Sequence, residues 1–468
     1  MNSTNDDVRD FYERMPYPPP LTSLDEEQKL YANPARRRAL FHQMWPAGTP
    51  RERQEILIAG CGTSQAARHA LREPGAIVTA IDISETSLRH TRDLQARYKI
   101  ENLELHQLPI ERVQELGRSF DQIVSTGVLH HLPDPDAGLR ALRDVLRPHG
   151  AMRVMVYAPY GRAGIYIMQE YCRLLGVRAS DSDLRDLAAT LGVLSADHPI
   201  AVVLRRAKDF REPAAMADAL LHPLDRAYTV PEIYAWLDRC GLTFARWLEQ
   251  APYLPQCGAV ATSPHAARIA SLPRPQQNAA VELFRGTMVK HEFIVYRDDR
   301  SGEAQPISFA GERWRDYVPI TLPWTVCLRE RVPAGSVAVL INRAHTFTDL
   351  VCTVDAFEDG LLGAMDGMRT LAEIVRQVAR DENAERRALR FFERLWHYDQ
   401  VVFDASLPGT GKSCPSRYRR RGRRDRPLRT AARPAGGSGR TPSRPCGSRA
   451  GTSPAGCSDR RGRAPRPR

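Results

Sequence analysis

The stretch ILIAGCGT at 56–63 constrains the fold more than any other in the chain. A short apolar run suited to a buried strand enters two glycines, Gly60 and Gly62, and a helical pattern, SQAARHALRE, follows. Glycines at such a junction permit a tight turn and let the backbone approach a ligand closely. The helix behind them offers unpaired N–H groups and a positive dipole end to an anion. Twenty residues after Gly62, Asp82 closes the next apolar run, VTAID, where a carboxylate can accept hydrogen bonds from ribose hydroxyls. A tight turn or a helix-capping Asp would explain either feature alone. The two together, at this separation, point to a ribose-bearing ligand. The dinucleotide fingerprint G-x-G-x-x-G would need a glycine where the chain has Gln65, which disfavours NAD.

Around this motif strands and helices alternate. EILIAG, AIVTAID, NLELHQL, FDQIVST and AMRVMVY read as five strands, with helices between them such as SETSLRHTRDLQARY, which opens on Ser84, and DAGLRALRDVLRPHG. This alternation predicts a parallel sheet with helices on both faces. Residues 161–227 break it with helical stretches. TVPEIYAWLDRCG then reads as a helix capped by Thr229 and stopped at Gly241, and LTFARWLEQ and KHEFIVYRDD supply the last two strands. The expected organisation is an N-terminal arm at 1–50 and a domain at 51–300. That domain divides into a core at 51–160, a helical insertion at 161–227 and the last strands at 228–300. A second unit follows at 301–404. In it SVAVLINR and DLVCTVDA are strand candidates, two amphipathic helices cover 367–398, and VVFD closes as a strand, a pattern like a small winged-helix module.

Charge is unevenly spread. Residues 406–468 carry 18 Lys and Arg against 2 Asp, a net +16, which leaves residues 1–405 at −4 of the total +12. The basic character therefore belongs to an Arg, Pro, Gly and Ser-rich tail at 405–468. It has too few apolar residues to offset ordering entropy and is expected to be disordered. Its Arg run at 417–424 has one aromatic, Tyr418, so no specific nucleic-acid partner is expected. The nine cysteines include no CxxC pair, which disfavours zinc and disulfides and favours a reducing cytoplasm. No apolar run approaches the roughly 20 residues of a membrane span, and the polar N-terminus lacks the apolar region of a secretory signal.

The segments ILIAGCGTSQ, VTAIDIS, LPIE, FDQIVSTGVLHHLPDP and LRDVLRPHGAMRVMVY resemble the class I S-adenosylmethionine-dependent methyltransferases, in the small-molecule branch typified by ubiquinone-pathway enzymes. The resemblance covers 50–160 well and 1–300 loosely. It implies an α/β fold: a Rossmann-like methyltransferase sheet with helical insertions, followed here by the small α+β winged-helix-like unit and the basic tail. It implies S-adenosyl-L-methionine as cofactor. Ala59, Gly60, Cys61 and Gly62 would line the methionine moiety and Asp82 would bind the ribose. Ile83, Leu108 and Pro109 would enclose the adenine, and Thr126, Gly127 and Val128 would sit beside the sulfonium. Two positions depart from the family: its acid before the glycines is Ile58, and its third loop glycine is Ser64.

Further residues are candidates on their own chemistry. His130 and His131 are adjacent, a poor arrangement for one metal ion, so no metal is expected. His130 is a candidate base at the pocket mouth, although one His capping the following turn and the other packing under the cofactor is the plainer expectation. Tyr12 and Tyr17 in FYERMPYPPP could form a lid, and Tyr157 and Tyr160 could stand at the acceptor entrance. Thr126-Gly127-Val128-Leu129 replaces an Asn/Asp-Pro-Pro-Tyr signature, which argues against base N-methylation. The expected acceptor is a small molecule or peptide. Two other readings are a non-catalytic binding protein that keeps the fold, and a peptide modifier whose module at 337–404 recognises its target by strand addition.

Overall fold

Each apolar run that reads as a strand between 55 and 300 joins one sheet. The computed structural model describes residues 3–51, 53–206, 210, 212–300 and 306–406. The expected tail lies outside the described residues from 407 onward.

The strands are β1 (Glu55–Ala59), β2 (Ile77–Asp82), β3 (Leu103–Gln107), β4 (Phe120–Thr126), β5 (Leu146–Tyr157), β6 (Leu242–Trp247) and β7 (Lys290–Arg297). Their order is β3-β2-β1-β4-β5-β7-β6. The first five are parallel, and β7 runs antiparallel to both β5 and β6. Ile56, Leu57, Ile58 and Ala59 are all fully buried, as expected of a central strand covered on both faces. Leu57 and Ala59 pack on one side with Ile123, Leu139 and Trp236. Ile56 and Ile58 pack on the other with Ala66, Leu88 and Leu94. This alternation is the two-residue period of a strand, and each such buried Leu or Ile contributes about 1.5–3 kcal/mol of transfer free energy. Strand order reverses between β1 and β4, which opens a crevice at their C-terminal ends.

The helix Pro135–Val145 is shorter than its sequence pattern. Leu146 is already extended, β5 begins there, and Pro148 lacks the N–H that further helix would need. The insertion forms helices Ala163–Leu175, Asp181–Val193, Ile200–Arg206 and Pro213–Leu221, joined in one apolar cluster with Phe11 of the N-terminal helix Ser3–Arg14. The helix Val230–Arg239 starts with Thr229 and Glu232 capping each other reciprocally, and Gly241 follows it at φ +68°.

Downstream lie β8 (Val318–Thr321), β9 (Thr325–Leu328), β10 (Ala338–Asn342), β11 (Val351–Val354) and β12 (Val401–Asp404). β9, β10 and β11 form an antiparallel sheet, and β8 pairs with β12. The expected helices appear as Leu371–Val378 and Glu382–His397, and a third, Ala356–Ala364, precedes them. Asp355 and Glu358 form a reciprocal capping box that starts this third helix where the sequence reads as strand. Trp314, Leu340, Leu371, Phe391 and Phe392 build a core of their own here. The described residues through Ser406 nevertheless form one compact unit. Buried Arg246 pairs with Asp399 at 2.9 Å, Asp399 also accepts from the Ala251 N–H at 2.8 Å, and Gln250 donates to the Trp396 carbonyl at 2.6 Å. Among the described residues no helix is long and apolar enough to cross a membrane.

Candidate functional site

A cavity of about 830 Å³ opens at the C-terminal ends of the parallel strands. Its first wall is the loop after β1. Gly60 and Gly62 adopt φ +72° and +53°, a region costly for other residues. A Cβ on Gly60 would stand 2.3 Å from Val128 Cγ2. The Gly62 N–H donates to Asp82 Oδ2 at 2.8 Å and the Ser84 N–H to Oδ1 at 2.9 Å. Burial pushes the Asp82 carboxyl up, and these two bonds oppose that shift. Ser64, where the resemblance calls for glycine, has φ −155° and ψ −17°, outside the left-handed region that favours glycine. Ile58 points into the apolar core. Gln65 Nε2 donates to Thr126 Oγ1 at 2.5 Å, tying the loop to the end of β4.

Of the residues the sequence assigns to a cofactor, Gly60, Cys61, Gly62 and Asp82 line this wall. Ile83, Leu108, Thr126, Gly127 and Val128 line the cavity beside them. Ala59 is fully buried in the core, and Pro109 is not among the lining residues.

The N-terminal arm closes one side. Thr63 Oγ1 donates to the Pro18 carbonyl at 2.8 Å, and Tyr12 and Tyr17 both face the cavity. Glu13 accepts from the Glu85 and Thr86 N–H groups at 2.6 and 3.1 Å and from the Thr86 hydroxyl at 2.5 Å, at the N-terminus of the helix Glu85–Tyr98. Burial is the largest single influence and opposes ionisation, but these bonds together hold Glu13 below the usual carboxylate range.

A second part of the lining is a polar corner within apolar surroundings. Tyr12 and Tyr157 hydroxyls donate to the two oxygens of Asp218, at 3.0 and 3.3 Å. Arg162 lies 3.5 Å over the Tyr157 ring and pairs with Asp225 at 2.8 Å. Burial pushes Asp218 up to about 6 and both tyrosines well above their ordinary value. Tyr160 also lines the cavity. His130 does not stand at a pocket mouth: it is fully buried, 4.0 Å from the Tyr157 ring, and absent from the cavity lining. His131 lines the cavity instead, with Nδ1 2.5 Å from the Leu224 carbonyl. Burial pushes His131 down to about 4 and His130 well below its ordinary value, so both rings are neutral. Among the described residues no cluster of His, Cys, Asp or Glu is arranged to hold a metal ion.

Sequence reasoning missed Asp218, Arg162 and Gln65. Asp218 had one signal: it is the only charged residue in the apolar helix PAAMADALL. A charge in such a helix needs a reason to be there.

Comparison with known proteins agrees with this geometry. Residues 57–152 match the family described as "Methyltransferase domain". An uncharacterized protein of Synechococcus sp. is 34% identical over 254 residues, covering 52% of this chain and 60% of that protein. The ubiquinone biosynthesis O-methyltransferase of Acinetobacter baylyi is 30% identical over 98 residues, covering 21% of this chain and 41% of the enzyme. The chain thus spans less than two thirds of either relative. The structure of PKMT2 from Rickettsia typhi, in complex with AdoHcy, superposes with a TM-score of 0.56 at 15% identity, covering 80% of this chain and 76% of that one. The sheet order, the glycine loop with its facing Asp82 and these likenesses agree: residues 57–152 match a methyltransferase domain, set in a Rossmann-like fold.

Proposed function

We propose that the chain transfers a methyl group from S-adenosyl-L-methionine to a small-molecule or peptide-like acceptor. The main support is the junction of a two-glycine loop with Asp82 on one wall of a cavity large enough for two ligands. Each Asp82 oxygen accepts one backbone N–H and keeps a lone pair for a ribose hydroxyl. The backbone of Gly60, Cys61 and Gly62 would hold the methionine part, Ile83 and Leu108 would flank the adenine, and Thr126, Gly127 and Val128 would stand beside the sulfonium. The cofactor supplies an activated methyl group. The protein aligns the acceptor about 3–3.5 Å from it, and the arm bearing Tyr12 and Tyr17 excludes water.

The likeness to ubiquinone-pathway O-methyltransferases favours a small acceptor. Thr346, from the loop between β10 and β11, also lines the cavity. That supports a role for the C-terminal module in acceptor choice, including peptide capture along the free edges of β9 or β11.

The test is calorimetric titration of the full chain with S-adenosylmethionine, with NAD alongside and Asp82→Ala as control. Saturable binding that Asp82→Ala weakens about 100-fold, without heat from NAD, supports the reading. A folded protein that binds no S-adenosylmethionine would instead have a non-catalytic binding role.

A further inference from the structure

We infer that Asp218, held between Tyr12 and Tyr157, is the proton-accepting catalytic residue of the acceptor site and selects acceptors whose nucleophilic atom carries an O–H or N–H. This rests on the methyl-transfer reading above. Asp218 lies on the cavity wall although its helix is otherwise apolar, and Ile165, Val203, Phe210 and Ala219 line the same cavity. An acceptor with an apolar body and one polar atom would fit such a lining. The groups facing Asp218 come from separate elements: Tyr12 from the N-terminal helix, Tyr157 from the end of β5, and Arg162 and Asp225 from flanking loops. The neutral rings of His131 and His222 adjoin them, His131 5.6 Å from Tyr157 and His222 5.4 Å from Tyr12. Two hydroxyl donors meet the Asp218 charge directly, and Arg162, itself paired with Asp225 at 2.8 Å, favours that charge from nearby.

That arrangement suits a general base. Burial raises Asp218 to about 6, ionised at neutral pH yet more basic than an ordinary carboxylate. In the step, the acceptor lone pair forms a bond to the methyl carbon while the carbon–sulfur bond breaks and its electron pair returns to sulfur. The acceptor proton passes to Asp218. The positive charge of the sulfonium and the negative charge of the carboxylate disappear together, leaving a thioether and a carboxylic acid.

The test uses the full chain loaded with S-adenosylhomocysteine and three probes: 4-propylphenol, hexylamine and the methyl ether 4-propylanisole. Binding is measured from pH 5 to 8 for wild type, Asp218→Asn, Tyr12→Phe and Tyr157→Phe. At least one of the phenol and the amine should bind wild type more tightly than the ether does. That preference should fade as pH falls through about 6 and drop about tenfold or more in Asp218→Asn, the loss of a hydrogen bond to a charged group. Either Tyr→Phe change removes a donor to the carboxylate and should move the midpoint to higher pH, a shift that a purely structural role would not cause. Because the two tyrosine variants keep the buried carboxylate, they test the idea even where Asp218→Asn fails to fold. Equal binding of all three probes, no binding of any, or an unmoved pH midpoint overturns the proposal. Failure to load S-adenosylhomocysteine is seen before any probe is added and overturns the methyl-transfer reading itself.

Discussion

The two walls of the cavity are built by opposite strategies. The glycine wall is made of backbone. Its shape comes from left-handed glycines and from N–H groups that lock Asp82 in place, all within the first four strands. The wall around Asp218 is made of side chains from distant parts of the chain. Tyr12 reaches an aspartate 206 residues away, and Tyr157 one 61 residues away. A wall of backbone recognises an invariant ligand and tolerates little change. A wall of side chains on an inserted helical layer can be altered without disturbing the sheet.

Substitutions on each wall can test this contrast. Gly60→Ala should have the largest effect. It puts a side chain at φ +72° and 2.3 Å from Val128, and should cost about 2–4 kcal/mol in urea unfolding as well as abolishing cofactor binding. Asp82→Ala should weaken S-adenosylmethionine binding about 100-fold by calorimetry, through loss of charged hydrogen bonds, with a smaller effect on stability. Asp218→Asn should behave in the reverse way. The folded state raises this carboxyl to about 6, so its contribution to stability is complete below the ordinary aspartate range and is lost as pH rises through about 6. The variant should therefore be more stable than wild type at pH 7.5, by about 3 kcal/mol, while losing acceptor binding. A less stable variant at that pH would make Asp218 an ordinary structural group and erase the contrast. Glu13→Gln should have the smallest effect. It loosens the arm and should weaken cofactor retention about threefold. Since Glu13 is held below its usual range, wild type should resemble the variant only as pH falls through that lowered value.

The same contrast explains what the sequence made legible. Gly60, Gly62 and Asp82 act through local backbone geometry, and a strand, a turn and a facing carboxylate leave a mark within 27 residues of chain, from 56 to 82. The central strands β1, β2 and β4 were readable because burial on both faces demands continuous apolar runs. Asp218 was not, since its meaning depends on two partners brought to it only by the packing of the insertion and the arm. The exchange of His130 for His131 has a simpler cause. Both lie in one short helical turn, where neighbouring side chains point in different directions, and the sequence cannot say which one meets the cavity. In the C-terminal module the strand DLVCTVDA was readable, but the capping role of Asp355 was hidden inside it.

The Arg246–Asp399 pair has a consequence for how the protein can be divided. A chain cut after residue 300 would retain the sheet and both walls apart from Thr346, yet it would leave a buried guanidinium without its counter-charge and the Ala251 N–H without its acceptor. Removing one member of a buried pair costs about 3–5 kcal/mol, a large share of a typical domain's stability. The sheet domain and the module behind it are thus joined in what keeps them folded, and evolution could exchange the module only together with the residue that answers Arg246.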